Sequence, residues 1–490
     1  MHSLESIPIA RSRKPTYEGW SRGNGAHCMS VEQKGLEWLW LKALLFVLFG
    51  YALLDKGFAY LFLGEMVLAI GAMIFLLSRR VMLVFSDPVL FLWGLLAFWG
   101  FCRTVPFLSI YRFDAIRDAV IWAYGSFALI IVAFLNRSSQ ISRALNTYRK
   151  FLRWFLPVIP ILLILSLTFG KSLPTIPWSK SAGILTLKGG DVAVSAAAAA
   201  VFLMTFPNRM GGKGRPEISI FRTIGFAGIY LTTIIVMVVN RGGFVSIVLA
   251  VLLFSVLRSR RVVWKIAATV ILGATLALVL LVALPSDFHI GKRVLSADKV
   301  LATVASIAGG SATGTGHEGT AQWRLLWWTN IVRETFFGPY FWTGRGFGVN
   351  LAIADGPFGD ATSEEDVALR SPHNGSMTIL ARMGVPGFAI WLTLNAVFAI
   401  RMFRAQRLAA QSGSQFWSGL NLWILACWLA TFTNLSFDVY LEGPQGCIWF
   451  WSVIGFGVAA LRIQAYETRQ LLYWSRSQDA DALKIRYAGA

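Results

Sequence analysis

The sequence predicts an all-α fold: a polytopic bundle of about twelve transmembrane helices with one large, partly helical loop. Hydrophobic residues make up 56% of the 490 residues and charged residues only 14%, whereas a soluble domain is about 25% charged. Apolar runs of roughly 20 residues, long enough to cross a bilayer as a helix, recur along the chain. The net charge of +20 is concentrated in short loops between these runs, which is typical of a membrane protein and argues against nucleic-acid binding.

The predicted organisation begins with a polar, basic segment. Residues 1–36 contain no short apolar core with a cleavage site, so we interpret them as a cytoplasmic tail and not as a signal peptide. Nine predicted spans occupy residues 37–284, a long loop occupies 285–372, three spans occupy 373–461, and residues 462–490 form a second tail. The twelve predicted spans are 37–54, 58–77, 88–107, 116–135, 151–169, 191–207, 219–239, 243–257, 266–284, 376–400, 419–437 and 443–461.

Basic residues cluster in every second loop between the predicted spans, for example at 79–80, 258–265 and 401–407. Because short basic loops of membrane proteins stay on the cytoplasmic side, this pattern places both termini in the cytoplasm. The remaining loops, including 285–372, then lie on the opposite side, which we call the outer side. The sixth span has Ser195 followed by five alanines, and such small side chains predict a central position in the bundle.

The long outer loop is predicted to contain an amphipathic helix at residues 320–337. Trp323, Leu326, Trp327 and Ile331 have helical spacing and are expected to share one face. Loops of this length are usually functional or disordered, so this helix indicates an ordered, functional part of the loop.

His373 is the main candidate for a catalytic residue. It lies where the long loop meets the span that begins near residue 376, and Pro372 and Gly375 flank it. An imidazole changes charge near neutral pH and can accept a proton from a hydroxyl group. A histidine that only bonds the backbone at the membrane interface is the alternative.

Two arginines on the same side are candidate ligands for a phosphate group. Arg241 precedes Gly242 and Gly243, and we expect the two glycines to leave room for a bulky anion that Arg241 holds with two hydrogen bonds. Arg324 lies on the predicted loop helix beside tryptophans. An arginine in a tight turn and an arginine on a solvated face are the respective alternatives.

Six further outer-side residues are candidate substrate-binding residues: Lys188, Asp191, Arg112, Arg117, Arg345 and Asn374. Lys188 and the amino end of the sixth span favour an anion there. The alternatives are structural. Asp191 has the position of a helix N-cap, Arg345 lies in a glycine-rich turn, and Arg117 can form an ion network with its neighbours.

The sequence predicts no metal site and no cofactor. The contiguous acids at 364–366 are typical of a solvated loop. Asp55 is the only acid between the first two predicted spans. We therefore expect no pair of acids there.

Several motifs resemble those of the O-antigen ligase and polymerase family of bacterial membrane glycosyltransferases. They are NRGGF at 240–244, QWRLLWW at 322–328, GRGFG at 344–348 and HNGSMTILARMGVPGF at 373–388. The resemblance implies a bundle of about twelve spans in the bacterial inner membrane, with a large periplasmic loop. It also implies that His373, Arg241 and Arg324 are the catalytic residues.

The same resemblance implies metal-independent transfer of a glycan from undecaprenyl diphosphate to a sugar hydroxyl. Attack by this hydroxyl opposite the leaving diphosphate would invert the transferred carbon. In ligases the acceptor is lipid A-core, and in polymerases it is another lipid-linked repeat unit. A non-enzymatic transporter or flippase of lipid-linked sugars is a third possibility. Transporters place ionisable groups at mid-membrane, and Glu65 is the main such residue here. The sequence leaves the oligomeric state open.

Overall fold

The computed structural model describes residues 31–78, 80–170, 172–177, 183–206, 220–258, 289–290, 293–294, 317–354 and 370–488. Helices dominate this part of the chain. They are α1 (Val31–Leu54), α2 (Lys56–Ala59), α3 (Leu63–Leu77), α4 (Pro88–Tyr111), α5 (Phe113–Ala123), α6 (Ser126–Phe134), α7 (Ser138–Phe169), α8 (Gly189–Thr205), α9 (Ile220–Val239), α10 (Arg241–Leu257), α11 (His317–Phe336), α12 (Leu351–Ala354), α13 (Gly375–Gln411), α14 (Gln415–Leu435) and α15 (Pro444–Ala488). Two short strands, β1 (His289–Ile290) and β2 (Arg293–Val294), pair antiparallel.

The described helices confirm an all-α, multi-pass membrane protein. Seven are long and apolar enough to cross a membrane, namely α1, α4, α7, α9, α13, α14 and α15. The pair α5 and α6, bent by 42°, forms an eighth candidate span, and α3, α8 and α10 are apolar but shorter. The predicted span at 266–284 and most of the loop at 285–316 lie outside the described residues, so the total of twelve spans stays a prediction.

Helix α13 is broken, whereas the sequence predicted one continuous span over 376–400. Gly384 has φ 67° and ψ −172° in its middle, a conformation that glycine adopts readily. Pro386 has no N–H group to donate to a carbonyl one turn earlier. The carbonyls of the preceding turn accept from other segments instead: Ala381 from Arg345 N at 2.7 Å and Met383 from the indole of Trp99 at 2.8 Å.

Helix α8 lies in the core, as its small residues predicted. Its five consecutive alanines, residues 196–200, are at most 4% exposed. The Trp423 indole of α14 donates to the Ala198 carbonyl at 2.9 Å. Because α8 has no bulky side chains there, α14 approaches its backbone directly.

Ion pairs join the loops at one end of the bundle. Arg80 lies 3.5 Å from the buried Glu37, and Arg401 lies 2.7 Å from Asp87. These loops are ones that the charge pattern assigned to a single side. The candidate site lies among the helix ends at the other end of the bundle.

Candidate active site

A short turn between α14 and α15, residues 436–443, is the centre of the candidate site. Nδ1 of His373 lies 3.9 Å from Oδ1 of Asp438, within ion-pair range. Nη1 of Arg324 donates to the carbonyl of Phe437 at 3.3 Å. Two of the three predicted catalytic residues therefore contact adjacent residues of one turn, although they lie far apart in the sequence.

Arg241, the third, begins α10 next to the same turn. A Cβ atom on Gly242 would lie 2.6 Å from Cβ of Phe437, and one on Gly243 would lie 2.9 Å from Cβ of Ala193. The expectation that these glycines leave room for an anion is therefore wrong, because protein atoms fill that space. The glycines instead allow the start of α10, where Arg241 lies, to pack closely against the turn and α8.

Three helix N-termini converge around the turn. The start of α8 meets the start of α10, since a Cβ on Gly243 would lie 3.2 Å from Cα of Gly190. The start of α13 meets the turn, where a Cβ on Gly375 would lie 3.0 Å from Cδ1 of Leu441. A helix N-terminus carries partial positive charge and favours anions. The convergence therefore adds to the positive potential of the arginines.

The backbone at His373 has an unusual conformation. Its φ of 51° lies in the left-handed region, which residues other than glycine adopt rarely. The next residue, Asn374, caps α13, because its side-chain oxygen accepts from Ser376 N at 3.0 Å and Met377 N at 3.1 Å. Asn374 was predicted to bind substrate, whereas in the structure its side-chain oxygen caps the helix. The cap fixes where the helix begins and leaves His373 just outside it.

Helix α11 covers the His373 segment with tryptophans. The indole of Trp328 donates to the Pro372 carbonyl at 2.7 Å. The ring of Trp323 meets the imidazole edge-to-face, with centroids 6.0 Å apart. His373 keeps 23% of its side chain exposed, so it remains accessible to a substrate.

The buried face of α11 differs from the predicted one at one residue. Trp327 and Ile331 are buried, with exposures of 0% and 1%, but Leu326 is 60% exposed. Successive residues of an α-helix are about 100° apart around its axis, so a contact centred on Trp327 and Ile331 excludes Leu326. The predicted helix is otherwise confirmed, as the described helix covers His317–Phe336.

Neighbouring residues hold the Arg324 guanidinium, but not all of its N–H groups are hydrogen-bonded within the described part of the chain. Its guanidinium lies 5.5 Å from the centroid of the Trp323 ring. Burial lowers the pKa of Arg324, and the Asp438 carboxylate opposes that shift; arginine stays protonated in proteins in any case. Its Nε atom has no hydrogen-bond partner among the described residues. A buried donor of this kind is costly unless a ligand or water pairs it.

Asp438 supplies the carboxylate at the centre of this site. Burial alone would raise the pKa of Asp438, but its contact with His373 and the charge of Lys188 outweigh that effect and lower the pKa to about 2. The carboxylate is therefore ionised near neutral pH. It can stabilise a protonated imidazole at His373.

Lys188 and Asp191 lie in a second charged cluster, together with Asp55. Asp55 is 1% exposed, it accepts from Lys188 N at 2.7 Å, and it lies close enough to Asp191 for each carboxyl group to affect the pKa of the other. The expectation of no acid pair near the first loop is therefore wrong. The pair forms because α8 returns to the end of α1, a contact between segments distant in sequence.

The charges of this cluster interact electrostatically with Asp438 in the turn. Burial alone would lower the pKa of Lys188, but the carboxylates of Asp191 and Asp438 outweigh burial and raise the pKa. Burial raises the pKa of Asp55. The two acids line a small polar cavity of about 20 Å³ with Tyr440, which is enough for roughly one water molecule.

The contacts of Arg117 and Arg345 agree with the structural alternatives, which were an ion network for Arg117 and a glycine-rich turn for Arg345. Arg117 pairs with Asp114 at 3.2 Å and Asp118 at 3.3 Å. The guanidinium of Arg345 lies 4.1 Å from the centroid of the Tyr340 ring. Arg112 is exposed and has φ 47°, at the corner between α4 and α5.

Arg382 is not among the site residues predicted from sequence, although it lies inside the motif at 373–388. It is 1% exposed, and its Nη2 lies 2.9 Å from Oδ2 of Asp118. A charged residue within a span needs a partner, so its position alone could have marked it. The identity of the partner could not be read from sequence, because Asp118 belongs to another helix.

Among the described residues, no group of three or more His, Cys, Asp or Glu side chains is arranged to hold a metal ion.

The family model of O-antigen ligases matches residues 226–392. Over this segment the match confirms the resemblance to the O-antigen ligase and polymerase family. The matched segment extends from α9 into α13, and includes Arg241, Arg324 and His373. No curated protein is similar enough to match. Members of that family are membrane glycosyltransferases, and the match supports an enzyme of that class.

Proposed function

We propose that the protein transfers a glycan from undecaprenyl diphosphate to a sugar hydroxyl of lipid A-core, at the periplasmic face of the bacterial inner membrane. The observation that carries the proposal is the His373–Asp438 pair beside Arg324, which donates to the adjacent Phe437 carbonyl. One turn thus holds a base and an anion ligand together. In this proposal both termini are cytoplasmic, twelve spans cross the membrane and the loop at 285–372 is periplasmic.

The donor's diphosphate binds to the positive groups of the site. Breaking the bond between the sugar carbon and the phosphate oxygen leaves negative charge on the diphosphate, and preorganised positive groups stabilise such charge. Arg241 and Arg324 supply guanidinium groups, and the starts of α8, α10 and α13 supply backbone dipoles. Lys188, whose pKa is raised by neighbouring carboxylates, stays charged and adds to this attraction. No metal or other cofactor takes part.

His373 removes the proton of the acceptor hydroxyl. The acceptor oxygen forms a bond to the sugar carbon as the bond from that carbon to the diphosphate oxygen breaks, and the hydroxyl proton moves to the imidazole. Asp438 stabilises the resulting imidazolium. Attack opposite the leaving group inverts the carbon. A general base of this kind contributes about 10²–10⁴-fold to the rate.

The second candidate is a polymerase of O-antigen or exopolysaccharide, which would use the same donor and the same residues with a lipid-linked acceptor. The transporter alternative has less support. Glu65, the ionisable residue that suggested it, accepts a hydrogen bond from the hydroxyl of Tyr124. This contact gives Glu65 a partner within the helix bundle, as structural acids in membranes have.

Deleting the gene and complementing it with His373→Ala tests the proposal through surface-glycan gels. We expect glycan attachment to be lost while the variant stays in the membrane at the normal amount. His27→Ala, the same change in the amino-terminal tail, is the matched control and should restore attachment fully. Full attachment with His373→Ala would refute the assigned base.

The gel of the deletion strain also distinguishes ligase from polymerase. Bare core with accumulated long lipid-linked polymer indicates a ligase. Core that carries a single repeat unit indicates a polymerase.

A further inference from the structure

One carboxylate holds both flanks of the segment that carries His373. Oδ2 of Asp118, in α5, lies 3.5 Å from Nη2 of Arg370 and 2.9 Å from Nη2 of Arg382. Arg370 precedes His373 by three residues, and Arg382 lies at the far end of the first half of α13, just before its break at Gly384. Asp118 therefore contacts both ends of segment 370–382, and Arg370 also lies 3.5 Å from Asp114.

The same carboxylate also fastens the glycine-rich turn at 344–348. The Gly348 N–H donates to Oδ2 of Asp118 at 3.1 Å, and Arg370 donates to the Gly348 carbonyl at 2.9 Å. Arg382 donates to the carbonyls of Gly346 at 3.3 Å and Val349 at 3.2 Å. This turn supports the break in α13, since its Gly346 N–H donates to the Arg382 carbonyl at 3.1 Å.

Burial makes these contacts rigid. Arg382 is 1% and Asp118 is 7% exposed, so solvent screens their attraction little. The other carboxylate oxygen, Oδ1 of Asp118, is occupied by Arg117 at 3.3 Å. Both oxygens of Asp118 therefore bind protein groups, and the side chain is placed to orient its neighbours and not to contact a substrate.

His373 needs such support because of its backbone. The residues between Arg370 and the start of α13 have no regular structure, and His373 itself has a positive φ. Backbone conformations of this kind persist when the surrounding structure fixes them. The further contact between Thr378 and Glu442, at 3.1 Å, ties the first turn of α13 to the turn that carries Asp438.

We propose that Asp118 is a positioning residue for His373: by holding Arg370 and Arg382 it fixes the imidazole relative to Asp438 and Arg324. The effect on turnover rests on the proposed function, in which His373 is the base. The effect on the position of the imidazole does not depend on it.

The test compares three purified variants, Asp118→Asn, Arg382→Met and the double variant. Asp118→Asn should lower kcat by roughly 10- to 100-fold, as small misplacements of reacting groups do, with a donor KM changed less than about 3-fold. The rate at which diethyl pyrocarbonate modifies His373, resolved by mass spectrometry, should change several-fold in the same variant. Asp87→Asn is the matched control, because Asp87 is 3% exposed and pairs with Arg401 at the other end of the bundle; it should change neither quantity.

The double variant separates positioning from stability. Removing one member of a buried ion pair leaves an unpaired charge, whereas removing both members restores much of the stability. We expect the double variant to regain the thermal stability that Asp118→Asn loses, while kcat stays low. Recovery of kcat together with stability would overturn the proposal, and so would unaltered modification of His373 in Asp118→Asn.

Failure of the proposed function gives a different result. In that case His373→Ala keeps its turnover. The modification rate of His373 in Asp118→Asn still reports whether Asp118 positions the imidazole.

Discussion

Nδ1 of His373 and Oδ1 of Asp438 lie 3.9 Å apart, although 64 positions of sequence and the whole of α13 and α14 separate the two residues. The distance is longer than a hydrogen bond but within reach of an ion pair once the imidazole takes a proton. The carboxylate already carries the charge that an imidazolium would need. The pair therefore links the proposed proton transfer to a single acidic side chain.

Replacing Asp438 with Asn should lower kcat by about 10²-fold, because the imidazolium at His373 loses its counter-charge. The donor KM should change little, since the arginines remain. Steady-state kinetics with purified enzyme and lipid-linked donor measures both constants. A variant with normal kcat would exclude Asp438 from the reaction.

Asp438 should also stabilise the fold above acidic pH. The pKa of Asp438 in the folded protein is about 2, below its ordinary value of 3.8. Because this pKa is lowered, the unfolded state binds the proton more readily than the folded state does. The stabilisation of the fold by Asp438 is therefore present above pH 3.8 and is lost as the pH falls through about 2. The full contribution corresponds to about 2 kcal/mol of unfolding free energy.

Thermal unfolding in detergent at several pH values between 5 and about 3 measures this contribution. The wild-type protein should lose more stability across this range than Asp438→Asn, which has no carboxyl group to titrate. Parallel curves for the two proteins would contradict the lowered pKa.

Arg324→Lys should raise the donor KM by about 10-fold or more. Lysine keeps the positive charge but cannot reproduce the planar, bidentate contact of a guanidinium with a phosphate. Arg333→Lys is the matched control on the same helix, because Arg333 is 68% exposed and its described partner is the neighbouring Glu334. Equal effects of the two substitutions would show that Arg324 has no special contact with the donor.

Gly242→Ala should destabilise the protein by roughly 1–3 kcal/mol, as overpacking does. The added Cβ would lie 2.6 Å from Cβ of Phe437, so the turn or α10 must move. Gly35→Ala is the control, since nothing lies within 4 Å of an added Cβ there. Melting temperatures measured in detergent compare the two, and equal melting temperatures would mean that α10 and the turn do not pack as described.

Some features followed from local patterns in the sequence. The apolar runs predicted helices, the alanines at 196–200 predicted a buried helix, and the tryptophan spacing predicted α11. Each depends on residues within a few turns of one another. The error at Leu326 arose because helical spacing allows a wider face than the actual contact used.

Other features required contacts between distant segments. The acid pair of Asp55 and Asp191 forms only when α8 packs against the end of α1. The break in α13 is supported by Arg345 and Gly346, whose backbone N–H groups come from another loop. No local pattern specifies which segment supplies such partners.

The sequence by itself determined that the chain is helical and spans a membrane, because hydrophobicity over about 20 residues sets the free energy of placing a helix in lipid. Its motifs also marked Arg241, Arg324 and His373. Tertiary structure decided that α8, α10 and α13 begin at one turn, and that Asp438 and Asp118 face the histidine segment and its arginines. The physical reason is that Coulomb attraction and hydrogen bonding act through space over a few ångströms, and helix packing sets those distances.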